Sequence, residues 1–487
     1  MLSGRITAVP GEVWDEEVLA PQFAYEVEHL LPWYVAIEKV LVLEYARLGL
    51  IDEAGAAAVA RRLHEVTPDR VRADPAANMS DIAFALERHV TDAVEVPNWH
   101  VDRSRNDMQA AAQLLAARQW TVDAAENLLT FGAAVADLAG RTAALPMPGQ
   151  THFQAAQVVS PGFHLSALGE ETLRTLRRLR FGFAELDASP LGSGALAGQE
   201  LAWDRDRMAR LLGFGRIQPH ALVGVASRGW ALSVAADLAA YGVAAGRFAT
   251  DLMTWGGSGH GFIDLPDRLA GISSAMPQKK NFPVLERIRG RCAHLTAYQV
   301  DMAVAQRATP YTNLVEVSKE AGANLLTLFT TFRSMLRLFT AVVTNLEFRP
   351  DRMRAACESE YLGGFTLANL LTLRCGVPWR RAQVIAGRYI TAALERGLSP
   401  STPDGPLLMS VAGDYPLDDP QALLAEAFDV DRALIAKTSA GSTHPNEVRG
   451  LVARQIGEYA DHAAFWSQRR ADAAAARTAV DKELGLA

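Results

Sequence analysis

Cysteine is scarce in this chain: Cys292, Cys357 and Cys375 are the only three in 487 residues, and they lie far apart. An odd, scattered set builds no disulfide framework and has no zinc-ligand spacing, so reduced thiols in a cytoplasmic protein are expected. A basic excess is missing too. Asp and Glu number 55 against 48 Lys and Arg, a net charge of −7, whereas a nucleic-acid footprint needs the opposite sign. No run reaches the roughly 18 uninterrupted apolar residues of a membrane span. Met1 to Pro10 shows no basic region followed by an apolar stretch, which predicts no secretory signal. Charge is modest overall at 21%, and 49% of residues are hydrophobic. That composition excludes disorder and predicts a large core, in two or three domains or one elongated body.

What is present is helical periodicity. Leu30, Leu31, Ile37, Val40, Leu41 and Tyr45 predict helices within residues 13–66, punctuated by Gly49 and Gly55. A further helix is expected from Asp81 to Val94, before Pro97. Leu114, Ala117, Thr121, Ala124, Leu128, Phe131, Val135 and Leu138 then alternate steps of three and four. Trp230, Val234, Leu238, Tyr241, Ala245, Phe248 and Leu252 repeat the pattern, and Phe163 to Leu186 is in step between them. One such seam suits an isolated amphipathic helix; three predict a long-helix bundle, within one subunit or across several. Residues 346–395 and 418–470 are again helical, separated by a Pro/Gly/Ser-rich linker at 398–417.

Polar breaks interrupt this scaffold. His100 to Asp107 carries Arg103, Ser104, Arg105 and Asn106, with Asp107 placed to cap the next helix. By spacing alone it is a helix cap with solvated charges, or an anion grip at a helix N-terminus. Pro146 to Gln154 breaks the first two long helices and holds Thr151 and His152; a lone histidine there is ordinarily a surface residue. Ser189 to Gly198 is glycine-rich but lacks the Gly-Lys-Ser/Thr ending of a phosphate loop. Gly271-Ile272-Ser273-Ser274-Ala275-Met276-Pro277-Gln278-Lys279-Lys280-Asn281-Phe282-Pro283 concentrates hydroxyls, ammonium groups and an amide between two prolines that no continuous helix tolerates. It is a solvated connector or a loop for gripping carboxylates.

Ser-Ser-x-Met-Pro-x-Lys-x-Asn resembles the signature loop of the fumarase/aspartase superfamily, and the Gln-Lys-Lys-Asn version resembles its argininosuccinate lyase branch. Arg103 to Asp107 and the Gly149-x-Thr151-His152-x-Gln154 segment are similar to two further signatures of that branch. The resemblance runs from about residue 78 to 450. It implies an all-α, three-domain subunit with a central long-helix bundle, divided at residues 1–108, 109–350 and 351–487. It also implies a cytoplasmic homotetramer whose active sites are shared among subunits. Ser273 becomes the catalytic acid/base, and His152 the catalytic histidine oriented by Glu286. Ser104, Arg105, Asn106, Thr151, Lys279, Asn281, Tyr311, Glu316 and Lys319 become substrate-binding residues. The substrate is a small molecule, with no metal, organic cofactor, nucleic acid or membrane involved. The two adjacent lysines are expected to help depress the pKa of Ser273.

The implied reaction is elimination of fumarate from an N-substituted aspartate, the retained signatures all serving the succinyl half. On the leaving-group side the chain departs from the family. Tyr-Asn-x-Asp-Leu-Gln becomes Tyr311-Thr312-Asn313-Leu314-Val315-Glu316, Asp-Ile-His becomes Asp81-Ile82-Ala83, and Asn-Pro-Asp becomes Asn281-Phe282-Pro283. The family's Asn-x-x-Asp becomes His220-Ala221-Leu222-Val223, with Arg228 kept before Gly229, and its N-terminal substrate-binding serine has no clear equivalent near Phe23. The expected products are fumarate plus arginine or a related amine, and the lost acids and amides point away from arginine itself. A sister lyase with a specialised amine, or a crystallin-like structural homologue, are the competing expectations.

Overall fold

The computed structural model describes residues 5–77 and 81–486. A π-helical turn at Asp15–Leu19 leads into α1 (Ala20–His29), α2 (Leu31–Arg47), α3 (Glu53–His64) and α4 (Ile82–Thr91). The helices α3 and α4 begin where an aspartate can accept a backbone N–H: Asp52 from Gly55 at 2.7 Å, Asp81 from Ala83 at 2.8 Å.

The bundle consists of α5 (Arg105–Arg141), α6 (Pro161–Leu186), α7 (Gly229–Gly256), α8 (Pro283–Gln306) and α9 (Leu325–Asn345). All eight seam positions of α5 are buried, Leu128, Phe131 and Val135 completely. Burying one such side chain is worth roughly 1.5–3 kcal/mol, whereas helix propensities differ by less than about 1 kcal/mol per ordinary residue. The seam, more than propensity, therefore sets where these helices lie. A buried polar pair, Thr172 Oγ1 with Tyr241 OH at 3.0 Å, joins α6 to α7 and satisfies both hydroxyls. Segment 315–345 has the length and mean hydropathy to cross a membrane, although Glu316, Lys319, Glu320, Arg333 and Arg337 interrupt it as an apolar run. Its Leu328, Phe332, Leu336, Phe339 and Val343 are buried in the bundle core.

The C-terminal third divides by its packing. Helices α10 (Pro350–Ser359), α11 (Gly364–Cys375), α12 (Trp379–Glu395), α13 (Gly405–Ala412), α14 (Pro420–Ala427) and α15 (Val430–Ile435) follow the bundle. Of these, α11 to α14 build a second core around Leu371, Ile385, Tyr389, Leu408 and Leu424. Helix α13 lies inside the stretch expected as a linker. Asp404 caps it by accepting from Leu407 N–H at 2.9 Å, and Leu407 and Leu408 are buried. The last helix, α16 (Pro445–Glu483), returns to the bundle and packs on α5 and α6. Gly132 makes this approach possible, since a Cβ there would overlap the ring of Tyr459.

Among the described residues, six short strands pair in twos. β1 (Met147–Thr151) and β2 (Gln154–Val159) form an antiparallel hairpin. β3 (Ala188–Ser189) runs parallel to β4 (Arg216–Ile217), and β5 (Ile263–Asp264) antiparallel to β6 (Glu347–Phe348).

Candidate active site

The first polar break closes the N-terminus of α5. Ser104, not Asp107, is its N-cap: Ser104 Oγ accepts from Asn106 N–H at 3.2 Å. Asp107 instead turns inward, 1% exposed, and its Oδ2 accepts from Gly192 N–H at 2.9 Å and Gly194 N–H at 3.0 Å. Burial pushes its carboxyl up to about 7, against the opposing pull of those two N–H groups. Both glycines have positive φ, 86° and 61°, and a Cβ on Gly194 would overlap the Gly198 carbonyl. The glycine-rich turn is thus a lid clamped onto the helix start, and Asn106 Nδ2 donates to Ala195 O at 3.0 Å across the same seam.

Two neighbours hold this loop rigid. Asp102, at φ 57°, accepts from Leu201 N–H at 2.8 Å and from Trp203 Nε1 at 2.9 Å. Arg103 forms a buried bidentate pair with Glu38, one bond of which is 2.9 Å. Arg105 is exposed, 3.4 Å from Asp81 and 4.4 Å above the Phe84 ring. Its guanidinium is oriented yet open to a ligand.

The second break is the β1–β2 hairpin. Thr151 pairs with Gln154, leaving His152 and Phe153 as a two-residue turn with φ of 54° and 59°. Such turns ordinarily take Asn-Gly, because both central residues need positive φ. Here two bulky residues bear that strain with both side chains in solvent, Phe153 81% exposed. Neither His152 nor Glu286, exposed in the first turn of α8, has a hydrogen-bond or ion-pair partner among the described residues.

The third break is an exposed loop with a closed neck. Gly271 and Asn281 form an isolated bridge with N–H···O bonds of 2.8 and 3.0 Å. Ser273 Oγ accepts from Met276 N–H at 3.1 Å, and Ile272 beside it is 94% exposed. The two lysines differ from the expectation that both act on Ser273. Lys280 lies 3.1 Å from both Asp264 and Asp267. Only Lys279 is without an ion pair among the described residues.

Tyr311 and Glu316 are exposed, whereas Lys319 contacts Glu26. This pair borders a cavity of about 330 Å³ lined by Tyr25, Gln113, Trp120 and Arg228 among others. Burial raises the Glu26 carboxyl, with Lys319 opposing. Burial also lowers Arg228 to about 10, while its Nε donates to Gln113 Oε1 at 2.9 Å. Glu26 was absent from the sequence-derived set. An acid at helical spacing between Phe23 and Leu30 was the available signal.

Ser104, Arg105 and Asn106 therefore share one helix start, Thr151 and His152 one hairpin tip, and Ser273, Lys279 and Asn281 one loop. No hydrogen bond or ion pair among the described residues links the three groups within a chain.

This scaffold and its loops are those of a lyase: residues 36–296 match the family described as Lyase. The chain is 30% identical over 441 residues to the argininosuccinate lyase of Arthrospira platensis, covering 88% of this chain and 90% of the relative. It is 32% identical over 428 residues to that of Thermobifida fusca, covering 86% and 87%. Among solved structures it superposes on EDDS lyase in complex with formate with a TM-score of 0.86 at 23% identity, covering 99% and 97%. A class II fumarase from Schistosoma mansoni gives 0.64 at 15% identity, covering 78% and 91%. The chain belongs to this lyase family, in the argininosuccinate lyase branch of the fumarase/aspartase superfamily.

Proposed function

We propose that the protein is a carbon–nitrogen lyase that eliminates fumarate from an N-substituted aspartate, releasing an amine or guanidine. Ser104, Asn106, Thr151, Lys279 and Asn281 hold the two carboxylates of the succinyl unit. Ser273 takes the Cβ proton, and Lys279 with loop N–H groups stabilises the aci-carboxylate that forms. As the carbon–nitrogen bond breaks, its electron pair goes to nitrogen. His152, paired with Glu286 of another subunit in a homotetramer, assists protonation of that nitrogen.

The observation that carries this reading is the hairpin tip. Non-glycine residues at positive φ cost roughly 1–3 kcal/mol each and persist where function requires them. Here the strain presents an unpartnered imidazole to solvent. The leaving group meets Tyr311, Glu316 and the Lys319–Glu26 cavity, and the loss of the family's amide and acid at Thr312 and Leu314 supports an amine other than arginine. Fumarate absorbance with argininosuccinate and with other N-substituted aspartates tests both parts. Loss of activity in Ser273→Ala supports the lyase reading; no fumarate from any such substrate refutes it. Turnover of argininosuccinate at the rate of a primary metabolic enzyme refutes the altered leaving group.

A further inference from the structure

The signature loop carries two consecutive lysines, and the fold treats them in opposite ways. Lys280 bridges Asp264 and Asp267 at 3.1 Å each, while Lys279 is left without an ion pair among the described residues. Of the two acids, Asp264 is firmly held, whereas the Asp267 side chain stands in solvent. Asp264 ends β5, accepts from its neighbour Leu265 N–H at 2.8 Å, and receives Arg349 Nη2 at 2.6 Å from just beyond β6. Arg349 is itself fixed, its N–H donating to Phe262 O at 2.8 Å. Asp267 opens a single 3-10 turn three residues on. Lys280 is thus tied to the short β5–β6 ladder and not to other loop residues.

We infer that Lys280 is a positioning residue: by anchoring to Asp264 and Asp267 it fixes the neck from which Ser273 projects and holds the turn that presents Lys279 to substrate. The inference rests on the proposed lyase reading for what the loop does. Its geometry follows from adjacency in the chain. Asn281, the next residue, closes the neck with Gly271 by two backbone bonds and donates its Nδ2 to Ile272 O at 3.4 Å, one residue from Ser273. On the other side, Lys279 N–H closes a turn onto Met276 O at 3.1 Å. Fixing residue 280 therefore steadies both the neck and the turn that carries Lys279. The arrangement also limits charge at the site. An unanchored Lys280 would offer the dianion a second ammonium group close to the first and permit a shifted pose; the two carboxylates remove that option. Hydrogen bonds to Asp264 and Asp267 hold the Lys280 ammonium above its ordinary range, so it stays charged and anchored across neutral pH.

Lys280→Met and Lys280→Arg, made in the full chain, test this. Misplacement of a catalytic group by about 1 Å can cost up to a hundredfold in rate, so Lys280→Met is expected to lower kcat at least about tenfold with KM changed less than about threefold. Lys280→Arg, which reaches the same acids, is expected to restore kcat. Amide hydrogen exchange at Gly271 and Asn281 provides a readout that needs no turnover: exchange should quicken about tenfold in the Met variant and remain slow in the Arg variant. A KM raised tenfold with kcat intact would make Lys280 a direct substrate ligand and overturn the inference. So would unchanged neck exchange in Lys280→Met. If the wild-type protein eliminates no fumarate, the lyase reading fails, while exchange at the neck still decides the anchor.

Discussion

Asp107 has a carboxyl whose two accepted N–H bonds do not offset its burial, and its titration has a definite sign. The folded value of about 7 lies above the ordinary 3.8, so the native state binds the extra proton between those limits. Stability from this group is then greatest at low pH, falls as pH rises from about 4 to about 7, and levels off above that. Asparagine can still accept from Gly192 and Gly194 without charge. Between about pH 5 and pH 8 the melting temperature of Asp107→Asn should therefore gain on that of the wild type. Gly194→Ala should act at the other end of the same clamp: φ 61° and the Gly198 carbonyl leave a methyl no room. A loss of about 1–3 kcal/mol is expected in denaturant unfolding. These partners were not legible in the sequence. Residues 107 and 192 are neighbours only after folding, and the acid's position beside a helix start suggested a cap, a local role that Ser104 takes instead.

At the level of elements, legibility followed periodicity. The seams of α5, α6 and α7 repeat every three and four residues, so the sequence marks both helix and buried face. The hairpin at residues 147–159 carries no such mark, because prolines at 146 and 148 read as a break and its exposed face alternates poorly. Helix α13 was hidden by the composition of its flanks, although Asp404 and buried Leu407 and Leu408 are ordinary helix signals. One apolar feature lies on outer faces. Val243 on α7 and Val300 and Val304 on α8 are 58%, 50% and 58% exposed. The two on α8 sit one turn apart, where they form a ridge suited to another helix. On the proposed homotetramer, Val300→Asp with Val304→Asp should leave each chain folded by circular dichroism yet shift it to a smaller species in analytical ultracentrifugation, with loss of activity.

For the whole molecule, the three proposed site segments share no hydrogen bond or ion pair within a chain among the described residues, which makes a mixing experiment informative. Ser273→Ala and His152→Asn chains should each be inactive alone. Unfolded together and reassembled, they should recover part of the activity, because some sites then draw an intact serine and an intact histidine from different chains. Recovery no greater than the sum of the separate parents would mean that each site is built from one chain. The sequence offers, by its motifs, the segments proposed to carry chemistry, but not how they are arranged, since their positions depend on helix lengths and, in the proposed homotetramer, on how copies meet.

Lys39 on α2 is joined at 2.6 Å to Asp481 near the end of α16, 442 positions along the chain. During synthesis the early helices leave the ribosome long before the surface that covers them. Buried Lys39 and the apolar residues around it then wait exposed for the time needed to translate nearly everything else. At about 5–20 residues per second that delay is tens of seconds, long compared with helix formation, and this makes the nascent chain a natural client for chaperones that shield apolar surface.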